Sequence, residues 1–232
     1  MSGGPSPEWV RGMFGRVAHR YDLANHLLSL NLDRQWRTRT VRRVRHVLLR
    51  PDARVLDLCC GTGDLLRALE AESQAFSIGA DFCHPMLRAA AQKGLRSPLI
   101  EADALALPLP DHSVDLITIA FGLRNLADTG AGLREMRRVL RPGGVAAILE
   151  FSRPPSRLFG ALYSFYSRKI LPAAGGLISG DRGAYAYLPD SIRKFPSPEE
   201  LAAQMRRASF AEVDYERMTG GIVALHMGQR DV

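Results

Sequence analysis

The sequence predicts an α/β protein: an open, mostly parallel sheet with helices on both faces. Three observations carry this. After Pro51, short apolar runs alternate with helical patterns; the run VDLITIA (Val114–Ala120) is apolar on both faces; and "LDLCCGTGD" (Leu56 to Asp64) puts a glycine turn between the first run and the helix after it. Alternation of this kind means parallel strands joined by helical crossovers. A strand apolar on both faces belongs in the middle of such a sheet.

In chain order, residues 1–8 read as a disordered tail rich in Gly, Ser and Pro. Helical spacing runs from Trp9 to about Leu49, with Trp36, Thr40, Val44 and Val47/Leu48 on one stripe and Arg34, Arg37, Arg39, Arg42, Arg43 and Arg45 between them. That basic helix presents either a solvated arginine face over a core stripe or a face for a membrane surface or a phosphate. Arg54–Cys59, Phe76–Asp81, Leu99–Asp103, Val114–Ala120 and Val145–Glu150 read as strands. Asp64–Ala71, Met86–Lys93 and Gly130–Leu140 read as the helices between them, the last stopped by Arg141-Pro142-Gly143-Gly144. Residues 153–197 break the rhythm with aromatics (Phe159, Tyr163, Phe165, Tyr166, Tyr185 and Tyr187), a Gly-Gly pair and Pro172, Pro189 and Pro196, and read as an insertion over one end of the sheet. A helix follows Ser197-Pro198, and Glu212–Met218 with Ile222–Met227 can pair as an antiparallel hairpin across Gly220-Gly221. The expected divisions are a helical cap (1–50), a core (51–152), an aromatic cap (153–197) and a terminal helix and hairpin (198–232).

Composition restricts the function classes. The chain has 232 residues, 46% hydrophobic and 24% charged, which suits one globular domain. No run approaches the roughly 18 apolar residues of a membrane span, and MSGGPSPEWVRGMF lacks the apolar stretch of a secretory signal. A cytoplasmic protein is expected, with the inner face of the membrane as its peripheral site. Three cysteines make no disulfide framework. The net charge of +7 is almost all arginine and decides nothing alone.

A strand, a glycine turn, a helix and an acid closing the next strand form a nucleotide-binding layout. Gly61-Thr62-Gly63 lets a ligand approach the backbone closely. Asp81, 24 residues after Asp57, is placed for ribose hydroxyls. A dinucleotide fingerprint would need a third glycine where Leu66 stands. S-adenosylmethionine (SAM) carries no pyrophosphate. It asks for an acid before the turn, the glycines, a ribose acid and a polar residue after the third strand, and Asp57, Gly61/Gly63, Asp81 and Asp103-Ala104 fill those places in order. An antiparallel terminal strand also suits that cofactor's fold, so the expectation is a Rossmann-like class I SAM-dependent methyltransferase with seven strands. Cys59-Cys60 lacks the C-x-x-C spacing of zinc or redox sites and reads as small filler beside the turn.

For the methyl acceptor, the fourth strand runs ITIAFGLRNL (117–126) and lacks the D/N-P-P-Y/F pattern of amino-group methylation on nucleic acid. Phe121, Gly122, Arg124 and Asn125 instead stand at the carboxyl edge of the sheet, where such folds bind ligands. Arg124 and Asn125 could orient a ring oxygen and stabilise it as an anion; alternatively, Arg124 pairs with Glu135 or caps a helix.

The stretches MFGRVAHRYDLANHLLSLNLDRQWR (13–37), VLDLCCGTGD (55–64), FGLRNL (121–126), RVLRPGG (138–144), LEFS (149–152), YAYLPDSIRKFP (185–196) and GGIVALHMG (220–228) together resemble the UbiE/MenG methyltransferases, in order and over nearly the whole chain. The resemblance implies C-methylation of a polyprenylated quinol ring, demethylmenaquinol first. The ubiquinone precursor or another small aromatic is the alternative, and an inactive SAM-binding subunit the rival of a different class. It implies SAM contacts at Thr62, Asp81, Asp103 and Ala104, and Arg124-Asn125 at the reaction centre. Where Ala120 stands many members have a serine that touches the cofactor. Of the family's Asp-Ala-Asp-Ser-Tyr, only Asp181 and Tyr185 remain, so Asp181 is the acid left for proton transfer, with water or His19 as other acceptors. No metal and no nucleic acid is expected. The expected partners are the quinol, a transient membrane contact through the arginines of 34–45 and the aromatic cap, and, as an open alternative, a second copy in a homodimer.

Overall fold

The computed structural model describes residues 6–179 and 181–231. The apolar runs form β1 (Arg54–Leu58), β2 (Phe76–Asp81), β3 (Leu99–Glu101), β4 (Val114–Ala120) and β5 (Leu140–Phe151), followed by β6 (Phe210–Met218) and β7 (Val223–Arg230). They make one seven-stranded sheet in the order β3-β2-β1-β4-β5-β7-β6. The first five strands pair parallel, and β7 runs antiparallel between β5 and β6. Strand order reverses between β1 and β4, so a crevice opens beyond their carboxyl ends.

Side-chain alternation sorts the core into two layers. Ile117 and Ile119 of β4, with Ala146 and Ile148 of β5, pack on one face with α6 (Thr129–Val139) and α10 (Pro198–Arg207). Leu116, Ala147 and Leu149 pack on the other with α3 (Leu32–Leu48) and α4 (Asp64–Glu72). The start of α10 is set by Ser197, whose hydroxyl accepts from the Glu200 amide while the Glu200 carboxylate accepts from Ser197 N–H, with Pro198 at the first helical position.

Two local expectations change. Of the tail, residues 1–5 lie outside the described residues, but Ser6 caps α1 (Pro7–Val17), so the helix begins two residues before Trp9. Arg141-Pro142-Gly143-Gly144 does not separate helix from strand: α6 ends at Val139, and these residues are a bulge inside β5, where Val114 pairs with Leu140 and Leu116 with Val145. Gly143 at φ +74 supplies the left-handed residue the bulge needs.

The cap consists of α1, α2 (Tyr21–Leu28) and α3. On α3, Trp36, Thr40, Val44, Val47 and Leu48 are buried as the spacing predicts. Its arginines face acids of the same molecule: Arg37 pairs with Asp33, Arg39 with Glu216, Arg43 with Asp214 and Arg45 with Glu72. Between β2 and β3 stands α5 (His84–Ala91). The aromatic segment is helical: α7 (Arg157–Phe165), a π-turn, α8 (Leu171–Ser179) and α9 (Arg182–Lys194), the last running through Pro189.

Candidate active site

The crevice at the β1/β4 ends contains two adjoining cavities. The larger, about 110 Å³, is lined by Gly61, Asp81, Asp103, Ala104 and Ala120, with Phe14 of α1 above. The smaller, about 40 Å³, is lined by Asp57, Gly61, Thr62 and Ala120, with Arg37 of α3. Seven of the eight residues predicted for the cofactor therefore converge. Gly63 is the exception. It is the N-cap of α4 at φ +82, and a Cβ there would come within 2.7 Å of Leu95 Cδ1, so it serves helix packing. At Gly61 (φ +55) nothing lies within 4 Å of a Cβ, which leaves the turn open toward the cavities.

The two acids behave differently. Asp81, at the end of β2, accepts from Gly61 N–H and Cys83 N–H, each at 2.8 Å, and so holds the turn against the next helix. Burial still pushes its pKa up, and its remaining lone pairs are available for hydroxyl donors. Asp57 Oδ1 accepts from Thr118 Oγ1 at 2.6 Å across the β1/β4 pair. Its Oδ2 is buried with no partner among the described residues, and burial pushes the pKa up to about 7. A buried carboxylate oxygen without a donor beside an open glycine turn fits a cationic amino group, as SAM carries.

The cysteines are structural. Cys59 adopts φ +51, and a Cβ on Gly122 would lie 2.4 Å from its Cβ, so the ends of β1 and β4 meet there. Burial raises the pKa of both Cys59 and Cys60 well above normal, which keeps them as unreactive thiols.

The cap is clasped to the turn. Thr62 Oγ1 donates to Asp22 of α2, and Lys93 Nζ reaches both Asp22 (2.6 Å) and Asp64 (2.5 Å). His26, Asp33 and Asp64 put ligand atoms within 4.8 Å of one another. That space is held by Arg37, which pairs with both acids.

Tyr21 and Phe121 line both cofactor cavities and also a third, of about 290 Å³. This one is walled by Trp36, Phe151, Tyr163, Tyr166, Tyr185 and Tyr187, drawn from the cap, β5 and the aromatic segment. Burial raises the pKa of Tyr21 and Tyr187, and of Tyr163 to about 12, so these phenols stay protonated. The Tyr185 hydroxyl is buried without a partner among the described residues. Three charged residues line the cavity. Asp33 and Arg37 pair with each other; Arg124 is the third.

Arg124 pairs not with Glu135 but with Glu150, at 3.1 Å from Nη1, with side chains 6% and 1% exposed. Its Nη1 also donates to Phe121 O, its Nε to Ser191 Oγ at 3.3 Å, and Phe151 lies under the guanidinium. Nη2 makes no hydrogen bond among the described residues, which leaves donors for a ligand. Glu150 accepts in addition from the amides of Arg124 and Phe151. Burial raises its pKa, and Arg124 opposes the shift. Glu135 instead binds the Leu107 amide and Arg138.

Asn125 does not share Arg124's cavity. It lines the cofactor side, donates to Phe121 O at 3.2 Å and accepts from Tyr187 Oη at 3.1 Å. Asp181 does not line any of the three cavities. It caps α9 through the Ala184 amide and binds Arg16 Nε at 2.8 Å, and that hydrogen bond holds its pKa below the usual carboxylate value. His19 is exposed and lines none of them either. Sequence reasoning missed Glu150 and the junction role of Tyr21; the runs LEFS and RYD contain both, but nothing local assigns them a partner.

Known proteins resemble this chain along nearly its whole length. The ubiE/COQ5 methyltransferase family matches residues 5–230. A Thermus thermophilus protein described as demethylmenaquinone methyltransferase is 49% identical, covering 94% of this chain and all of its own. A Corynebacterium urealyticum protein of the same description is 46% identical over 97% and 95%. The Geobacter sulfurreducens ubiquinone/menaquinone biosynthesis C-methyltransferase UbiE is 44% identical over 96% and 89%. Among solved structures, a Thermotoga maritima SAM-dependent methyltransferase superposes with TM-score 0.66 at 21% identity, covering 95% and 99%. The fold is thus that of SAM-dependent methyltransferases, and the chain belongs to the ubiE/COQ5 methyltransferase family.

Proposed function

We propose that this enzyme C-methylates a quinol ring in quinone biosynthesis, with demethylmenaquinol as its substrate. The observation that supports this most is an aromatic cavity lined by the Arg124 guanidinium, beside the Asp33–Arg37 pair, and joined to the cofactor groove at Tyr21 and Phe121. The names of the relatives point the same way.

SAM supplies an electrophilic methyl group on sulfur. Gly61, Thr62, Asp81, Asp103, Ala104 and Ala120 would line its place, with Asp57 Oδ2 facing the amino group. The ring would lie between the aromatic side chains, one oxygen toward Arg124 Nη2 and the other within reach of the orphan Tyr185 hydroxyl. Loss of the ring hydroxyl proton raises electron density at the neighbouring carbon, and Arg124 stabilises the oxyanion that results. Asn125 fixes the Phe121 carbonyl on which Arg124 also bears. The raised tyrosine pKa values and the Arg16 pairing of Asp181 leave water as the proton acceptor, and Asp181 as the residue that anchors α9 to α1.

The test is incubation with SAM and a short-tailed demethylmenaquinol. The expected product is a quinol heavier by one methyl in place of hydrogen, and an unchanged quinol mass with SAM bound overturns the reading. The UbiE description of the Geobacter relative favours a second substrate, the ubiquinone precursor, and the same assay run with it decides between the two.

A further inference from the structure

Ten large apolar side chains are exposed among the described residues, and six of them (Leu23, Leu27, Leu30, Leu158, Leu162 and Phe165) belong to α2, the turn after it, and α7. Leu158, Leu162 and Phe165 recur at i, i+4 and i+7, one face of the helix, and are 84%, 66% and 59% exposed. Tyr163 and Tyr166, from the neighbouring turn, line the large aromatic cavity. Tyr166 Oη donates to Leu28 O at 2.7 Å and so ties the end of α7 to the end of α2. Leu30, 78% exposed, also lines that cavity, so its mouth opens between these two helices.

Along the segment that contains α7 the charge is of one sign, with Arg153 alone of its cations facing an acid, Glu200 at 4.0 Å, among the described residues. From Phe151 to Gly180 the sequence has no acid and four cations, Arg153, Arg157, Arg168 and Lys169. The arginines of α3 offer no comparable field, since four of the six, Arg37, Arg39, Arg43 and Arg45, already face Asp33, Glu216, Asp214 and Glu72.

We propose that the exposed face of α7, with the end of α2, docks this enzyme on an anionic lipid bilayer, so that the substrate cavity opens directly into the lipid. An amphipathic helix with apolar residues on one side and cations beside it partitions to such an interface. A bilayer suits the cavity mouth better than a protein partner, which would plug it. The proposal rests on the quinol reading, because a lipid-soluble tail leaving the mouth would pass straight into hydrocarbon. It also moves the expected contact from α3 to α7 and α2.

The experiment is co-sedimentation of the full chain with vesicles of phosphatidylglycerol and phosphatidylcholine. The wild type should sediment with the anionic vesicles. The triple variant Leu158→Glu, Leu162→Glu, Phe165→Glu should lose at least tenfold in apparent vesicle affinity with its melting temperature unchanged, whereas Arg34→Glu with Arg42→Glu should bind as wild type does. Leu158→Ser with Leu162→Ser, a milder pair that guards against misfolding, should show a smaller loss in the same direction. The triple variant should still methylate a water-soluble, short-tailed quinol and fail on a long-tailed quinol embedded in vesicles. Wild-type protein that ignores anionic vesicles, or a triple variant that binds them unchanged, overturns the proposal. So does a dimer in sedimentation velocity that the triple variant abolishes, which would assign the face to a second copy. Vesicle binding that the triple variant abolishes, without methylation of any quinol, would uphold the docking face and defeat the substrate reading instead.

Discussion

The cofactor half and the substrate half of this site are built by different means. Around the turn, the chemistry comes from strand ends: Asp57 lies one residue from the end of β1, Asp81 closes β2 and Ala120 closes β4, and each is fixed by backbone pairing. The aromatic cavity has no such lattice. Its walls come from α1 to α3, the loop after β4, β5 and the segment after residue 153, and its two arginines, Arg37 and Arg124, are each held by a side-chain pair. Substitutions in the first half should therefore act on cofactor affinity or folding, and those in the second should lower turnover while sparing cofactor affinity.

The sharpest test of that division is Arg124→Ala. It should lower turnover by about 100- to 1000-fold, the usual cost of one oxyanion donor, while SAM affinity by calorimetry stays within about threefold. An equal fall in both would dissolve the distinction between the halves. Next is Glu150→Gln, which leaves Arg124 buried without a counter-charge. A stability loss of about 3 kcal/mol is expected in urea titration, together with a fall in kcat at nearly constant SAM affinity, and Glu150→Asp should restore part of both. The two glycines split the cofactor half itself. Gly63→Ala should destabilise by roughly 1–2 kcal/mol through its left-handed backbone and the Leu95 contact. Gly61→Ala carries a similar backbone cost but should lose SAM affinity as well, because its Cβ points into open space beside the cavities.

The smallest effect is a pH dependence. Burial raises Asp57 to about 7. From the ordinary carboxylate range up to about pH 7, the folded protein then holds a proton that the unfolded chain has released. Stability from this group is therefore fully present below that window and declines as pH rises through it. A bound ammonium favours the charged carboxylate, so SAM binding should release a proton and tighten by less than about tenfold between pH 6 and pH 8. Calorimetry in two buffers of different ionisation heat measures the release, and Asp57→Asn should abolish that component.

The contrast also explains what the sequence discloses. Strand ends and glycine turns are local, so the sheet, its antiparallel last strand and the acids of the turn can be read from spacing alone. The RPGG bulge could not, because its letters stop helices more often than they interrupt strands. Arg124 was legible as a candidate, but Glu150 was not: an acid in a strand shows its purpose only once β5 lies beside the loop after β4. The separation of Asn125 from Arg124 by the Phe121 carbonyl is equally silent in the string FGLRN, since neighbours in sequence can face different cavities at a tight turn. Cys59 and Cys60 are the reverse case, conspicuous letters whose raised pKa values leave them no chemistry.

The position of β7 has a consequence for how the molecule is made. The last strand, Val223–Arg230, is interior, and β6 pairs with nothing else in the sheet. Until Val223–Arg230 have left the ribosome, β6 has no neighbour to join and the edge of β5 stays uncovered. Two of the seven strands can therefore join the sheet only once both have been made, and a chain cut before Val223 forfeits two strands rather than one.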